Sequence, residues 1–279
     1  MMYPRVFIWC LASVLALVPV SSFSEDLAAG GTPQLASSKI TAIASSDPKG
    51  SNATPIQLLG LSRTLHATHS ARVLVIGSSS TVGVGASSPA RTYVARLEPE
   101  LEAALKGTDF EVIGHGMSGE VAQGAADRMK REVEAVKPDL VIWQVGTNDA
   151  LGHVELDKFK SCLKKTLAWL QEQHIDVILI NPQYGDVLIK DAYYGQVITA
   201  ITDIARDSRV LLVDRFDAMR KLQRERGDQF YLSADNLHMN DEGYRYLAEQ
   251  LAATIIGALP QGAGIVAENR IPARSAAVK

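Results

Sequence analysis

The chain has 279 residues, of which 47% are hydrophobic and 21% are charged, and its formal net charge is −3 at pH 7. This composition is typical of a globular α/β protein with a sizeable core and excludes a wholly disordered chain. The weak negative charge gives no reason to expect a nucleic-acid partner.

The first 24 residues have the three regions of a secretory signal peptide. Arg5 precedes an apolar run from Val6 to Val18, and small residues and an acidic pair follow the run. We therefore expect residues 1–24 to be removed on export to the periplasm or the medium. An uncleaved anchor is the weaker alternative, because the run is shorter than the roughly 20 residues of a membrane span and Pro19 closes it. No stable membrane span is expected in the mature chain.

The composition divides the rest of the chain into three segments. Residues 25–68 are rich in Ala, Ser, Thr, Gly and Pro without a sustained period, which indicates a flexible leader. Residues 69–259 form the predicted domain, and residues 260–279 form an Ala/Gly-rich tail.

Strands and helices alternate along the predicted domain. In chain order they are strand 71–77, helix 92–105 interrupted at Pro99, strand 110–114, helix 120–138, strand 139–146, helix 155–173, strand 175–181, helix 193–208, strand 209–214 and helix 241–259. The first of these strands, 71–77, is a continuous apolar run of the kind that is buried on both faces of a parallel sheet. The alternation predicts one flavodoxin-like α/β domain of three layers, in which helices flank a five-stranded parallel sheet on both faces.

The first predicted strand ends in the sequence GSSSTVGVG, from Gly77 to Gly85. A dinucleotide-binding loop fits poorly, because Ser88 stands where the third glycine belongs and no acidic residue ends the second strand. A Walker loop is excluded because no lysine follows the glycines, and a lipase elbow because Ser79 lacks the two flanking glycines. What remains is Ser79 in a tight turn at a strand end, either as a reactive hydroxyl or as a simple helix cap.

Three further stretches lie in loops at the same edge of the predicted sheet. They are MSGE (117–120), GTND (146–149) and DNLHMNDEGY (235–244). Together with the serine-rich turn, and in this order, they resemble the four sequence blocks of the SGNH hydrolases, also called the GDSL family of esterases and lipases. The resemblance extends from about residue 72 to residue 251.

The resemblance implies a role for each matching residue. Ser79 would be the nucleophile, His238 the general base and Asp235 the acid that orients it. The backbone N–H groups of Ser79 and Gly119 and the side-chain amide of Asn148 would form the oxyanion hole. No metal or organic cofactor is implied.

The same residue types are required by the chemistry itself. A serine hydroxyl is a weak nucleophile at neutral pH, so an imidazole must take its proton and a carboxylate must fix the imidazole tautomer. The negative oxygen of the tetrahedral intermediate is stabilised by small, rigid hydrogen-bond donors. Each residue also has an alternative, purely structural role. These roles are a helix cap for Ser79, a turn glycine for Gly119, an Asx turn for Asn148 and a cap at a helix entry for Asp235 and His238.

Two positions depart from the family pattern. Ser78 stands where the family usually has aspartate, and Gly114 stands where it usually has asparagine. Neither position takes part in bond making in the family. We therefore expect an exported serine hydrolase that cleaves carboxylic esters of lipid, aryl or thioester-type acyl groups through an acyl-enzyme. The alternatives are a carbohydrate O-acetylesterase and, from another class, a non-catalytic glycan-binding module on the same scaffold.

Overall fold

A computed structural model of the chain describes residues 54–227 and 230–260. The predicted signal peptide, most of the predicted leader and nearly all of the predicted tail lie outside these residues. Among the described helices, none combines the length and the apolar character that a membrane span requires.

The described residues form a single parallel sheet with helices on both of its faces. The strands are β1 (Ser70–Gly77), β2 (Asp109–Gly116), β3 (Leu140–Gln144), β4 (Asp176–Ile180) and β5 (Leu211–Val213). The helices are α1 (Leu59–Thr68), α2 (Ser79–Val82), α3 (Tyr93–Ala104), α4 (Ala122–Val136), α5 (Thr147–Leu151), α6 (Leu156–Glu172), α7 (Ala192–Asp207), α8 (Arg215–Arg226) and α9 (Asp241–Gly257).

The sheet has the strand order β2-β1-β3-β4-β5, and all four neighbouring pairs are parallel. This is the flavodoxin-like order, with its switch point between β1 and β3. The predicted fold class is confirmed. All four loops with the candidate residues therefore lie at or near the carboxyl edge of the sheet, where such folds bind ligands.

Two apolar cores hold the three layers together, one on each face of the sheet. Alternate residues of β1 point into different cores, since Val73 and Val75 belong to one core and Leu74 and Ile76 to the other. The first core joins the sheet to α1, α3 and α9, and the second joins it to α4, α6 and α7. Burial on both faces explains why the central strands β1 and β3 are largely apolar.

The structure corrects the predicted end of the leader. Residues 59–68, assigned to a flexible leader, form α1, and its Leu61 and Leu65 are fully buried together with the preceding Leu58. These leucines recur at helical spacing, so they bury one face of α1 against the first core. The folded domain therefore includes residues 58–68, which precede its predicted start at residue 69.

The structure also corrects the interruption predicted at Pro99. Helix α3 continues through this proline to Ala104. Proline removes one backbone hydrogen bond, but Leu97 and Leu101 on either side are fully buried in the first core. Their packing holds the helix together across the lost bond.

Candidate active site

Ser79, His238 and Asp235 form one continuous line of hydrogen-bonding groups at the carboxyl edge of the sheet. Ser79 Oγ lies 2.8 Å from His238 Nε2, and His238 Nδ1 lies 2.6 Å from Asp235 Oδ2. The serine comes from the turn after β1 and the other two from the loop before α9, 159 residues away in sequence for Ser79 and His238. In this geometry the imidazole can take a proton from the hydroxyl while the carboxylate holds its other nitrogen.

The loop that carries the histidine folds around the Asp235 carboxylate. Oδ1 of Asp235 accepts hydrogen bonds from Ser233 Oγ at 2.7 Å and from the backbone N–H groups of Leu237 and His238 at 3.0 and 2.9 Å. Burial alone would raise the pKa of Asp235. The hydrogen bonds from His238, Leu237 and Ser233 outweigh that effect and hold the pKa well below its usual range. Asp235 therefore stays ionised, as an acceptor for His238 Nδ1–H.

Close backbone packing lets this loop reach Ser79. A Cβ atom on Gly85 would lie 2.4 Å from the carbonyl oxygen of Met239 and 3.1 Å from Cβ of His238, so only glycine leaves room here. The hydroxyl of Tyr244, in α9, donates a 2.7 Å hydrogen bond to the carbonyl of Val84. These contacts fix the histidine loop against the serine turn.

The candidate oxyanion donors lie at the start of α2, in the loop between β2 and α4, and in α5. Ser79 is the first residue of α2, so its backbone N–H belongs to the turn that has no intrahelical acceptor. Gly119 has a φ of 79° in the loop between β2 and α4, a conformation that favours glycine over residues with a Cβ. The Asn148 amide donates a 2.8 Å hydrogen bond to the carbonyl of Glu120, which leaves its second N–H available. Asn148, in α5, therefore links this helix to the loop of Gly119, a contact that its alternative role in an Asx turn does not include.

A buried carboxylate and a buried ion pair support the loop of Gly119. Both oxygens of Asp149 accept from the backbone N–H of Ala122, at 3.0 and 3.1 Å. Burial raises the pKa of Asp149 to about 6, although backbone hydrogen bonds partly oppose the shift. On the other side of the loop, Arg128 Nε and Nη2 bind the two carboxylate oxygens of Glu120 at 2.8 and 2.7 Å.

A comparison with known families decides where this chain belongs. The model of the non-GDSL lipase-like family matches residues 46–261, which is most of the chain. The chain belongs to this family.

Similar proteins that are named esterases support the same conclusion. The chain is 26% identical over 191 residues to an acetylxylan esterase of Geobacillus stearothermophilus, covering 62% of this chain and 81% of the relative. It is 26% identical over 170 residues to the esterase TesA of Pseudomonas aeruginosa, covering 60% and 78%. The crystal structure of Axe2, an acetylxylan esterase from Geobacillus stearothermophilus, has the same fold, with a TM-score of 0.58, 23% identity and coverage of 66% and 94%.

The resemblance to SGNH hydrolases is thus confirmed, and this non-GDSL lipase-like protein is a carboxylic ester hydrolase.

The structure shows what surrounds the two residues that depart from the SGNH pattern. The first departure is Ser78, immediately before Ser79. Ser78 is 4% exposed, and its N–H and Oγ lie 2.9 and 3.2 Å from Oε1 of the buried Gln144. The second departure, Gly114, lies within β2, where a Cβ would be 2.8 Å from Cγ1 of Val94. Glycine at 114 therefore makes room for α3.

Three buried polar residues around the site in this family member were not singled out from the sequence. They are Gln144, Gln183 and Arg215, which are 3%, 2% and 2% exposed. Each lies within or just beyond the carboxyl end of a strand, which is the one sequence signal that could have found them.

Proposed function

We propose that this protein is an exported esterase that works through an acyl-enzyme on Ser79. The observation that carries the proposal is the line from Ser79 Oγ through His238 to Asp235, with spacings of 2.8 and 2.6 Å. In the first step Ser79 Oγ attacks the ester carbonyl carbon while His238 Nε2 takes the hydroxyl proton. The negative oxygen of the tetrahedral intermediate accepts hydrogen bonds from Ser79, Gly119 and Asn148.

The remaining steps return the enzyme to its starting state. His238 gives its proton to the departing alcohol oxygen as the ester bond breaks, leaving the acyl group on Ser79. A water molecule then attacks the acyl carbon while His238 takes one of its protons. When the second tetrahedral intermediate collapses, His238 returns that proton to Ser79 Oγ and the carboxylic acid leaves.

Exposed apolar side chains around the site favour a substrate with an apolar acyl or aryl group. Most of the large hydrophobic side chains exposed among the described residues lie in the connections that follow β1 to β4. These are Val82, Val84, Met117, Leu151, Val187 and Ile189, with exposures from 37% to 63%. Apolar side chains that stay exposed beside the catalytic edge would supply contacts for an apolar part of the substrate.

A carbohydrate O-acetylesterase is the second candidate, and two observations favour it. One relative is named an acetylxylan esterase. In addition, an open cleft of about 550 Å³ beside Gly119 carries charged residues, among them Asp127 and Arg131. These charged residues suit sugar hydroxyl groups, while the apolar Met117 and Val121 of the same cleft suit a short acyl group.

Activity on p-nitrophenyl esters of increasing chain length, measured beside acetylated xylo-oligosaccharides, distinguishes the two candidates. Burial of each methylene contributes about 0.8 kcal/mol, and a partly exposed apolar rim captures a fraction of that. We expect kcat/KM to rise roughly tenfold or more from acetate to hexanoate, with Ser79→Ala as the blank for each ester. Preference for acetate and faster turnover of the acetylated sugars would favour the carbohydrate esterase instead. A wild-type protein that binds glycans but does not react with a fluorophosphonate probe would indicate a binding module.

Export has its own test. Because Ser22 and Ser24 supply small residues after the apolar run, we expect cleavage after Ser24 and a mature chain that begins at Glu25. The intact mass of protein recovered outside the cytoplasm measures this directly. A recovered mass that still includes Met1 would contradict cleavage and favour the uncleaved anchor.

A further inference from the structure

Arg215 places a positive charge deep inside the protein, behind the candidate catalytic residues. It is the first residue of α8, at the carboxyl edge of β5, and it is 2% exposed. Taking a guanidinium out of water costs considerable free energy unless its donors are well satisfied. Burial accordingly lowers the pKa of Arg215, but a guanidinium remains charged throughout the physiological range.

The guanidinium extends from the edge strand across the top of the sheet. Nε donates to the carbonyl of Asn181 at 3.0 Å, and Nη2 donates to Oε1 of Gln183 at 2.9 Å, both in the segment after β4. Nη2 also lies 3.5 Å from Oγ1 of Thr147, after β3, and Nη1 donates to Oγ of Ser80, after β1, at 3.2 Å. One side chain thus contacts the ends of β4, β3 and β1.

Two of these contacts fall on immediate neighbours of the candidate catalytic residues. Ser80 follows the nucleophile Ser79, and Thr147 precedes the oxyanion donor Asn148. Both contacted residues are buried, so neither has solvent as an alternative partner.

The contact with Gln183 extends the same network to the histidine loop. While Oε1 of Gln183 accepts from Arg215, its Nε2 donates at 3.1 Å to the carbonyl of Leu237, the residue before His238. Thr147 Oγ1 donates to the same Gln183 Oε1 at 2.8 Å, which closes the network.

The contacts of Arg215 indicate that the protein uses the shape of its guanidinium, and not an ion pair with a carboxylate. In the described part of the chain its hydrogen bonds go to neutral oxygens, and no carboxylate forms an ion pair with it. The ionisable groups that interact with it there are the phenols Tyr93, Tyr194 and Tyr244. A planar fork with five fixed donors can span several loops at once, whereas a lysine ammonium on a flexible stem cannot.

We propose that Arg215 is a positioning residue, whose buried guanidinium holds the loops of Ser79, Asn148 and His238 in register through Ser80, Thr147 and Gln183. This inference rests on the proposed function, since it assumes that those three residues act together. Arg215 does not touch the substrate. Its effect is on the alignment of the nucleophile, the oxyanion donor and the base.

The test compares Arg215→Lys and Arg215→Met with a control on the same helix. A misplacement of about 1 Å in a catalytic group can cost roughly 10²-fold in rate. We therefore expect kcat to fall about 30- to 100-fold in Arg215→Lys, with KM within about twofold, and to fall at least as far in Arg215→Met. The rate of fluorophosphonate labelling of Ser79 should fall in parallel. The control, Met219→Ala, empties part of the first core beneath α8, so it should lower the thermal midpoint and leave kcat and labelling of the folded protein unchanged.

Each outcome of this test bears on the inference. A folded Arg215→Lys protein with wild-type kcat and labelling rate overturns it and leaves the proposed function standing. If neither Arg215 variant folds, Gln183→Glu decides, because it keeps an acceptor for the guanidinium and loses the donor to Leu237. A fall in kcat at unchanged KM in that variant supports the inference, and wild-type kcat overturns it. A wild-type protein that neither cleaves esters nor reacts with the probe overturns the proposed function and the inference together.

Discussion

Replacing Ser79 by alanine should lower kcat by on the order of 10⁴–10⁶, and replacing His238 by alanine should cost about as much. The double variant should be little worse than either single variant. The reason is that the two side chains perform one act, the transfer of the hydroxyl proton across the 2.8 Å contact between Ser79 Oγ and His238 Nε2. Once either partner is lost, the other has nothing to act on.

Initial rates on a reactive p-nitrophenyl ester, with the thermal midpoint of each variant, measure this effect. Ser87→Ala is a matched control, because Ser87 lies in the segment between α2 and α3 and its hydroxyl bonds to Asp241 and not to His238. That variant should keep close to wild-type kcat. Losses that multiply in the Ser79/His238 double variant would mean that the two residues act independently, and the proposed proton transfer would then be wrong.

The strands were the most predictable part of this fold. Burial on both faces requires an apolar residue at nearly every position of β1 and β3. The predicted strands 71–77 and 139–146 therefore agree with β1 and β3 to within two residues at each end. Helix α8 was not predicted, because it is polar over most of its length and few of its residues are buried. Its position is set by tertiary contacts, such as the hydrogen bond from the N–H of Phe216 to Oδ1 of Asn181.

The candidate site likewise contains residues that the sequence could identify and residues that it could not. Ser79, Gly119, Asn148, Asp235 and His238 stand in short blocks whose order is informative by itself, and the structure brings them to one edge of the sheet. Their roles stay predictions until the variants are measured. The supporting residues could not be found in this way. The partners of Arg215, for example, lie up to 135 residues away in sequence, and only the folded sheet brings them together.

Asn148→Ala should lower kcat by about 10²–10³ and leave KM nearly unchanged. If its free amide N–H faces the developing negative charge, the variant loses a donor that is needed most in the transition state. Loss of one such donor costs about 3–4 kcal/mol of transition-state stabilisation. The alternative is a purely structural residue, because the same amide donates to the carbonyl of Glu120 and so ties two loops together. Loss of that tie alone should cost roughly 1 kcal/mol of stability.

The two explanations for Asn148 differ in which measured quantity changes. Gln171→Ala provides the comparison, since Gln171 Nε2 also donates to a distant backbone carbonyl, that of Ser208, at 2.8 Å. Both variants lose one amide-to-carbonyl hydrogen bond, but only Asn148 stands at the carboxyl edge beside Ser79 and Gly119. If Asn148 is an oxyanion donor, Asn148→Ala shows the large fall in kcat while Gln171→Ala keeps wild-type kcat, whatever their thermal midpoints. If Asn148→Ala has a lowered midpoint and a wild-type kcat, then Asn148 only connects loops, and the oxyanion must be held by the backbone N–H groups of Ser79 and Gly119 alone.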